Sequence, residues 1–201
     1  MDPRTTALLL IGYQGDYFSP TGALREVIEE PSRVTGTLQN TVDLVERLLS
    51  TPVLIVTTPI TFSPDYRELQ NEVGILKAIK DTKAFRAGTP GAALVPELAQ
   101  FGDRLIEVPG KQGLNAFAST QLAEILRSRS IKNVVVCGVV ASLCIDSTSR
   151  AAYEKGYDVT IVSNCISGRT LVEQRFYVSE IYPLYSTVLT SEQLLKELGV
   201  Q

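Results

Sequence analysis

The run Gly138-Val139-Val140-Ala141-Ser142-Leu143-Cys144 leaves an apolar segment and enters a helical pattern. A cysteine at such a turn sits near a helix N-terminus, where free amides and the helix dipole favour a thiolate. The same amides can hold a developing oxyanion. Cys144 is therefore a candidate nucleophile. The plain alternative is one more small buried side chain, the usual place of a free cysteine. Lys111, in Gly110-Lys111-Gln112-Gly113-Leu114-Asn115-Ala116-Phe117, follows another apolar segment. A lysine beside a cysteine favours its thiolate and orients a carboxylate. On spacing alone an ordinary surface lysine is the simpler reading. Cys137 ends an apolar segment and reads as core. Cys165 reads as core too, with a place near the site mouth as the alternative.

The sequence contains no histidine. Ser-His-Asp and Cys-His triads both need an imidazole, so both are excluded. His-bearing zinc and non-haem iron sites are excluded as well. A base would have to be Asp, Glu, Lys or Tyr. The cysteines at 137, 144 and 165 have no CxxC spacing, so neither a zinc knuckle nor a redox pair is expected. The glycines of Gly12-Tyr13-Gln14-Gly15-Asp16-Tyr17-Phe18 make no G-x-G-x-x-G fingerprint, and no phosphate-binding G-x-x-x-x-G-K-[ST] loop occurs. No nucleotide cofactor is expected, and Asp16 reads as a turn cap.

The 201 residues carry 19 Lys plus Arg against 22 Asp plus Glu, a net charge of −3. That length predicts one domain over residues 1–201. The charge gives no electrostatic reason to expect nucleic acid or an anionic membrane as partner. The apolar runs are strand-sized, well short of the roughly 20 residues of a membrane helix. An odd cysteine count, with no leader pattern after Met1, predicts the reducing cytoplasm.

These candidate groups need elements to hold them. Ala7 to Ile11, Val53 to Val56, Arg104 to Val108, Asn133 to Cys137, Tyr157 to Val162 and Thr187 to Leu189 read as six strands, most of them buried on both faces. Helical patterns fall between them, over Val34 to Leu49, from near Ser119, over Ser142 to Lys155, and from Leu171 to Ile181. Gly156 stops one helix. Thr190 resembles the N-cap of a last one. Strands alternating with helices predict an α/β domain of three layers, with a mainly parallel six-stranded, Rossmann-like sheet covered on both faces. Ligands of such sheets sit at the carboxyl ends of the strands. Those ends are Gly12 to Phe18, Thr57 to Phe62, Pro109 to Phe117, Gly138 to Cys144 and Ser163 to Ser167. Residues 58–89, rich in Pro, Gly and charge, are the candidate flap or oligomer contact.

Taken together, the chain resembles the isochorismatase-like cysteine hydrolases over nearly its whole length. The family's D-x-Q-x-D-[FY] run aligns with Gly12 to Tyr17 and is matched at Gln14, Asp16 and Tyr17. Its K-x-x-x-[SN]-x-F run is matched at Lys111, Asn115 and Phe117, with Thr120 and Leu122 after it. Its G-V-x-x-x-x-C-V-x-x-T run is matched at Gly138, Val139, Cys144, Ile145 and Thr148. The order and spacing of these runs make the resemblance specific. It implies Cys144 as nucleophile, Lys111 as the triad lysine, a cis peptide at Val139–Val140, and an oxyanion hole from the Val140 and Cys144 amides. It places the substrate pocket among Gln14, Tyr17, Phe18, Phe62 and Phe117. Tyr17, Phe18 and Phe62 suggest an uncharged or partly apolar substrate, although aromatics serve packing at least as often. The implied reaction is hydrolysis of a small amide through a covalent cysteine intermediate, or of an isochorismate-like vinyl ether by protonation from the aspartate. The resemblance also implies a homo-oligomer, a dimer or tetramer.

Two positions depart from the pattern. The metal-binding amidase relatives use an Asp-x-His and a later histidine after the second strand. Here that stretch reads Thr57-Thr58-Pro59-Ile60-Thr61-Phe62-Ser63-Pro64-Asp65, so no metal is expected. The triad aspartate belongs at position 12, which is glycine. Losing a positioned acid–base group typically costs 10²–10⁴-fold in rate. A natural pseudo-enzyme that binds a small molecule or partner, a substitute base, and a deliberate substitution are the three readings of Gly12. If the missing base is the whole defect, Gly12→Asp should raise hydrolysis.

Overall fold

The computed structural model describes residues 1–70 and 72–200; Asn71, inside the candidate flap segment, and Gln201 lie outside them. Six strands form one sheet: β1 (Thr6–Ile11), β2 (Leu54–Thr57), β3 (Leu105–Glu107), β4 (Asn133–Val139), β5 (Asp158–Ser167) and β6 (Thr187–Leu189). Their order is β3-β2-β1-β4-β5-β6, and every pairing is parallel. The main helices around it are α1 (Glu29–Thr35), α2 (Thr37–Leu48), α3 (Gly74–Thr82), α4 (Leu122–Ser128), α5 (Asp146–Glu154), α6 (Leu171–Phe176) and α7 (Ser191–Glu197).

β1 shows why the central strands are apolar throughout. Ala7, Leu9 and Ile11 point into one core with Leu122 and Leu126 of α4 and Ala152 of α5. Leu8 and Leu10 point the other way, onto Leu44, Val45 and Leu48 of α2 and Leu194 and Leu195 of α7. Strand alternation distributes one run between two helical layers. A third apolar cluster caps the carboxyl ends of the strands and includes Tyr17, Ile60, Phe62, Ile79, Phe85 and Val140.

Some element limits differ from those read in the sequence. The Val34–Leu49 pattern is broken at Gly36, whose φ of +71° ends α1 before α2 begins. Asn133 to Cys137 continues to Val139, and β5 runs on to Ser167. An irregularity between Val136 and Gly138 lets Gly138 pair with Ile166 and Val139 with Ser167. Ser163 to Ser167 is therefore strand, and Cys165 lies in the α2-side core rather than at a site mouth. The pattern over Ser142–Lys155 divides into a wide turn, Ala141–Ile145, and α5. Thr190 caps α7: its side chain accepts from Gln193 N at 3.3 Å, and Gln193 Oε1 accepts from Thr190 N at 2.8 Å.

Candidate active site

Gly138 is where the site begins. A Cβ there would lie 1.8 Å from the Ile11 carbonyl oxygen, so only glycine lets β1 and β4 approach this closely. The chain beyond it is thereby held at the carboxyl end of the sheet, and the Val139–Val140 peptide is cis. The next turn is wide: Ile145 N–H reaches back to Val140 O at 3.2 Å, a five-residue step. Tyr182 donates its hydroxyl to Ala141 O at 2.9 Å, and Ser142 donates to Glu173 Oε1 at 2.6 Å. These bonds fasten the turn that carries Cys144.

Lys111 reaches the same point from beyond β3. Its backbone bridges Ile60, and Thr61 N–H donates to Lys111 O at 3.2 Å. Downstream, Thr148 of α5 accepts from Ala116 N at 3.0 Å, which ties the lysine's loop to the helix after the cysteine turn. Lys111 Nζ lies 3.5 Å from Cys144 Sγ. The two are only 1% and 7% exposed, and among the described residues Lys111 forms no ion pair.

Gly12 lines the same small cavity, with a φ of +76°. A Cβ at this position would meet Val139 O and Val139 Cγ2, each at 2.8 Å. The place of an acidic side chain is closed by β4, in a backbone region that L-residues rarely adopt. Asp16 is not a substitute. Its Oδ2 accepts from Phe85 N at 2.6 Å and its Oδ1 from Ala23 N at 3.2 Å, so it braces loops beneath the site.

Of the pocket residues expected from the sequence, Tyr17 lines the cavity. Burial, with Cys144 and Asp16 close by, pushes its phenol well above the usual range. The other four do other work. Gln14 spends its amide on Ile60 N, Ile60 O and Ala92 O, at 2.9, 2.9 and 2.7 Å. Phe18 stacks on Tyr13 with centroids 5.4 Å apart. Phe62 packs on Tyr66, and Phe117 stacks on Tyr157. The walls Ile60, Leu114, Val139 and Leu143 fall within the strand ends expected to hold the ligand, whereas the roof of Ile75, Leu76 and Ile79 from α3 was not singled out by the sequence. The helical spacing of those three roof residues was the signal that would have shown them.

The space enclosed is about 10 Å³ for the centre of a water-sized sphere, room for about one water. A larger groove of about 540 Å³ lies at the opposite end of the strands, beside Asn133 and Asp158, far from this chemistry. Among the described residues no group of three or more Cys, Asp or Glu is arranged to hold a metal ion, and no helix is long and apolar enough to cross a membrane.

The model of the isochorismatase domain matches residues 6–193. The chain belongs to the isochorismatase family. An isochorismatase family protein of Bacillus subtilis is 27% identical over 202 residues, covering 96% of this chain and 99% of that one. The maleamate amidohydrolase of Pseudomonas putida is 26% identical over 196 residues, covering 97% and 87%. A cysteine hydrolase from Pseudomonas syringae pv. phaseolicola superposes with a TM-score of 0.85 at 18% identity, over 99% of this chain and 94% of that one. This isochorismatase-family chain thus shares the fold of that hydrolase. Its Gly12, Lys111 and Cys144 meet where open parallel sheets place their ligands.

Proposed function

We propose that this isochorismatase-family chain acts on a small amide through Cys144, with Lys111 as the charged group beside the sulfur. The observation that carries this reading is the 3.5 Å contact between Lys111 Nζ and Cys144 Sγ inside a nearly closed cavity. In so little water, an ammonium at that distance strongly stabilises negative charge on the attacking sulfur. In the reaction, Sγ bonds to the amide carbon, the C–N bond breaks, and the thiol proton leaves with the amine. Water then releases the acid from the thioester. The amides of Val140 and Cys144, on the fastened turn, are the groups to hold the oxyanion. The maleamate relative's printed activity is an amide hydrolysis and agrees with this class. The vinyl-ether reaction is disfavoured, because it needs an acid at position 12.

The proton carrier is the remaining question. The titratable groups lining the cavity are Tyr17, Lys111 and Cys144. Tyr17 is held as a neutral phenol chiefly by burial, with Cys144 and Asp16 close by, so it can donate but not act as a base. Lys111 Nζ, in contact with the sulfur, relays the proton: as a neutral amine it takes the thiol proton to form the ammonium–thiolate pair, and that ammonium then gives the proton to the leaving nitrogen. A second reading, a non-catalytic binder that kept the pocket, is favoured by one observation: among the described residues no carboxylate lines the cavity, and a Cβ at position 12 would press on Val139.

Thiol reactivity separates the two. Alkylation of Cys144 by iodoacetamide at neutral pH, corrected for access with a denatured control, should be at least tenfold faster than in Lys111→Met. Ammonia release from small primary amides should vanish in Cys144→Ser. A rate at Cys144 unaffected by Lys111→Met, with no ammonia released by the native chain, would leave the binder.

A further inference from the structure

The roof of the cavity specifies what its substrate must look like. α3 turns Ile75, Leu76 and Ile79 inward. Its charged side chains pair outside, Lys77 with Asp81 at 2.6 Å and Lys80 with Glu72 at 2.8 Å. The facing walls are Ile60, Leu114, Val139 and Leu143, with the neutral phenol of Tyr17. Among the described residues no arginine and no second lysine lines the space. The single cation, Lys111, is already in contact with Cys144 Sγ. A carboxylate on the substrate would lose its water here and find no cation of its own, which is strongly unfavourable. An aliphatic chain that pushes α3 outward to enter would lie against the side chains of Ile60, Leu114, Val139 and Leu143 on one side and of Ile75, Leu76 and Ile79 on the other.

From this we infer that the acyl part of the substrate is short, aliphatic and uncharged, and that Ile75, Leu76 and Ile79 set this specificity. This rests on the reading of Cys144 as nucleophile. It excludes for this chain the amides of dicarboxylic acids, such as the maleamate that names the Pseudomonas putida relative.

Activated esters test the inference without needing a base at position 12, because p-nitrophenolate leaves unaided. Cys144 Sγ bonds to the acyl carbon, the ester C–O bond breaks, and p-nitrophenolate carries off the electron pair. The wild-type chain is mixed with p-nitrophenyl butyrate or p-nitrophenyl hemisuccinate, which have acyl chains of equal length and differ in a terminal carboxylate. The mass of the Cys144 peptide is followed, because the carboxylate of the hemisuccinate also expels p-nitrophenolate by closing to succinic anhydride; that background is subtracted with Cys144→Ser. Relative to N-acetylcysteine, butyrate should acylate Cys144 at least tenfold faster than hemisuccinate. In Ile79→Ala and Leu76→Ala, p-nitrophenyl hexanoate should gain severalfold on p-nitrophenyl acetate; circular dichroism checks that each variant is folded.

A butyrate-to-hemisuccinate ratio within twofold of that for the free thiol overturns the specificity while keeping the nucleophile. If no ester acylates Cys144 above Cys144→Ser, the nucleophile reading fails, and protection against iodoacetamide still reads the pocket. Butyramide should then protect Cys144 at concentrations at least tenfold below succinamate. Equal protection, or better protection by succinamate, overturns the inference.

Discussion

Position 12 carries the sharpest residue-scale consequence. Read from the sequence, Gly12 was an empty place waiting for an aspartate. In the structure a Cβ there would sit 2.8 Å from both Val139 O and Val139 Cγ2, at a φ of +76°, so a side chain at position 12 requires Val139 to shift. Val139 O belongs to β4, which β1 and β5 hold on both sides. Gly12→Asp should therefore destabilise the fold by about 1–3 kcal/mol, the usual cost of forcing atoms into a packed position, and should not raise amide hydrolysis. A urea melt gives the first result and an ammonia assay the second. Recovered activity at unchanged stability would show that β4 yields more readily than its pairing suggests. Cys144 and Lys111 are the opposite case. Each alone had a plain explanation from sequence, and their 3.5 Å contact makes them one unit.

At the scale of elements, the site is built by β4 and the wide turn after it. Gly138 is the joint: it lies against the Ile11 carbonyl of β1, where a Cβ would come to 1.8 Å. No rotamer change can relieve a contact between backbone and Cβ. Gly138→Ala should therefore cost about 3 kcal/mol or more, beyond ordinary overpacking. It should also slow Cys144 alkylation in whatever folded protein remains, because the turn fastened by Tyr182 and Ser142 would shift. Thermal unfolding and iodoacetamide labelling together check both parts. α3 makes the converse point. It belongs to the segment of residues 58–89 read as the candidate flap, and its three inward aliphatics close the cavity from above. With room for about one water, the proposed substrate reaches Sγ only if a wall of this cavity gives way, and α3 is the wall drawn from the candidate flap.

Across the whole molecule, the sheet's two cores and its cap bury several tyrosines. Burial pushes the phenols of Tyr13, Tyr17, Tyr182 and Tyr185 well above their usual range, with carboxylate or thiol neighbours adding to it. In the unfolded chain the same groups ionise near pH 10. Above that pH the unfolded state holds fewer protons than the folded one, so the stability these groups contribute is full below about pH 10 and falls as pH rises. Alkaline unfolding should be cooperative, with tyrosinate absorbance and loss of circular dichroism rising together. Tyrosinate signal appearing for all residues near pH 10 with the fold intact would contradict this burial.

Much of the architecture was legible in the chain itself. Apolar runs of strand length, alternating with helical periodicity, are required by a parallel sheet covered on both faces, since every side chain of β1 must enter one core or the other. The motif order around Cys144, Lys111 and Gly138 carried the family, because those residues sit at strand ends. Tertiary structure decided what lies between distant segments. It decided that Gln14, Phe18, Phe62 and Phe117 face loops and other rings rather than the cavity. It also decided that α3 supplies the roof, and that a side chain at position 12 would press on Val139. Periodicity reports which face of an element is apolar, and the direction in which a side chain leaves a loop depends on contacts made by residues far away in sequence. The closure of Gly12 by Val139 is such a contact, 127 positions away in the chain, and no local pattern records it.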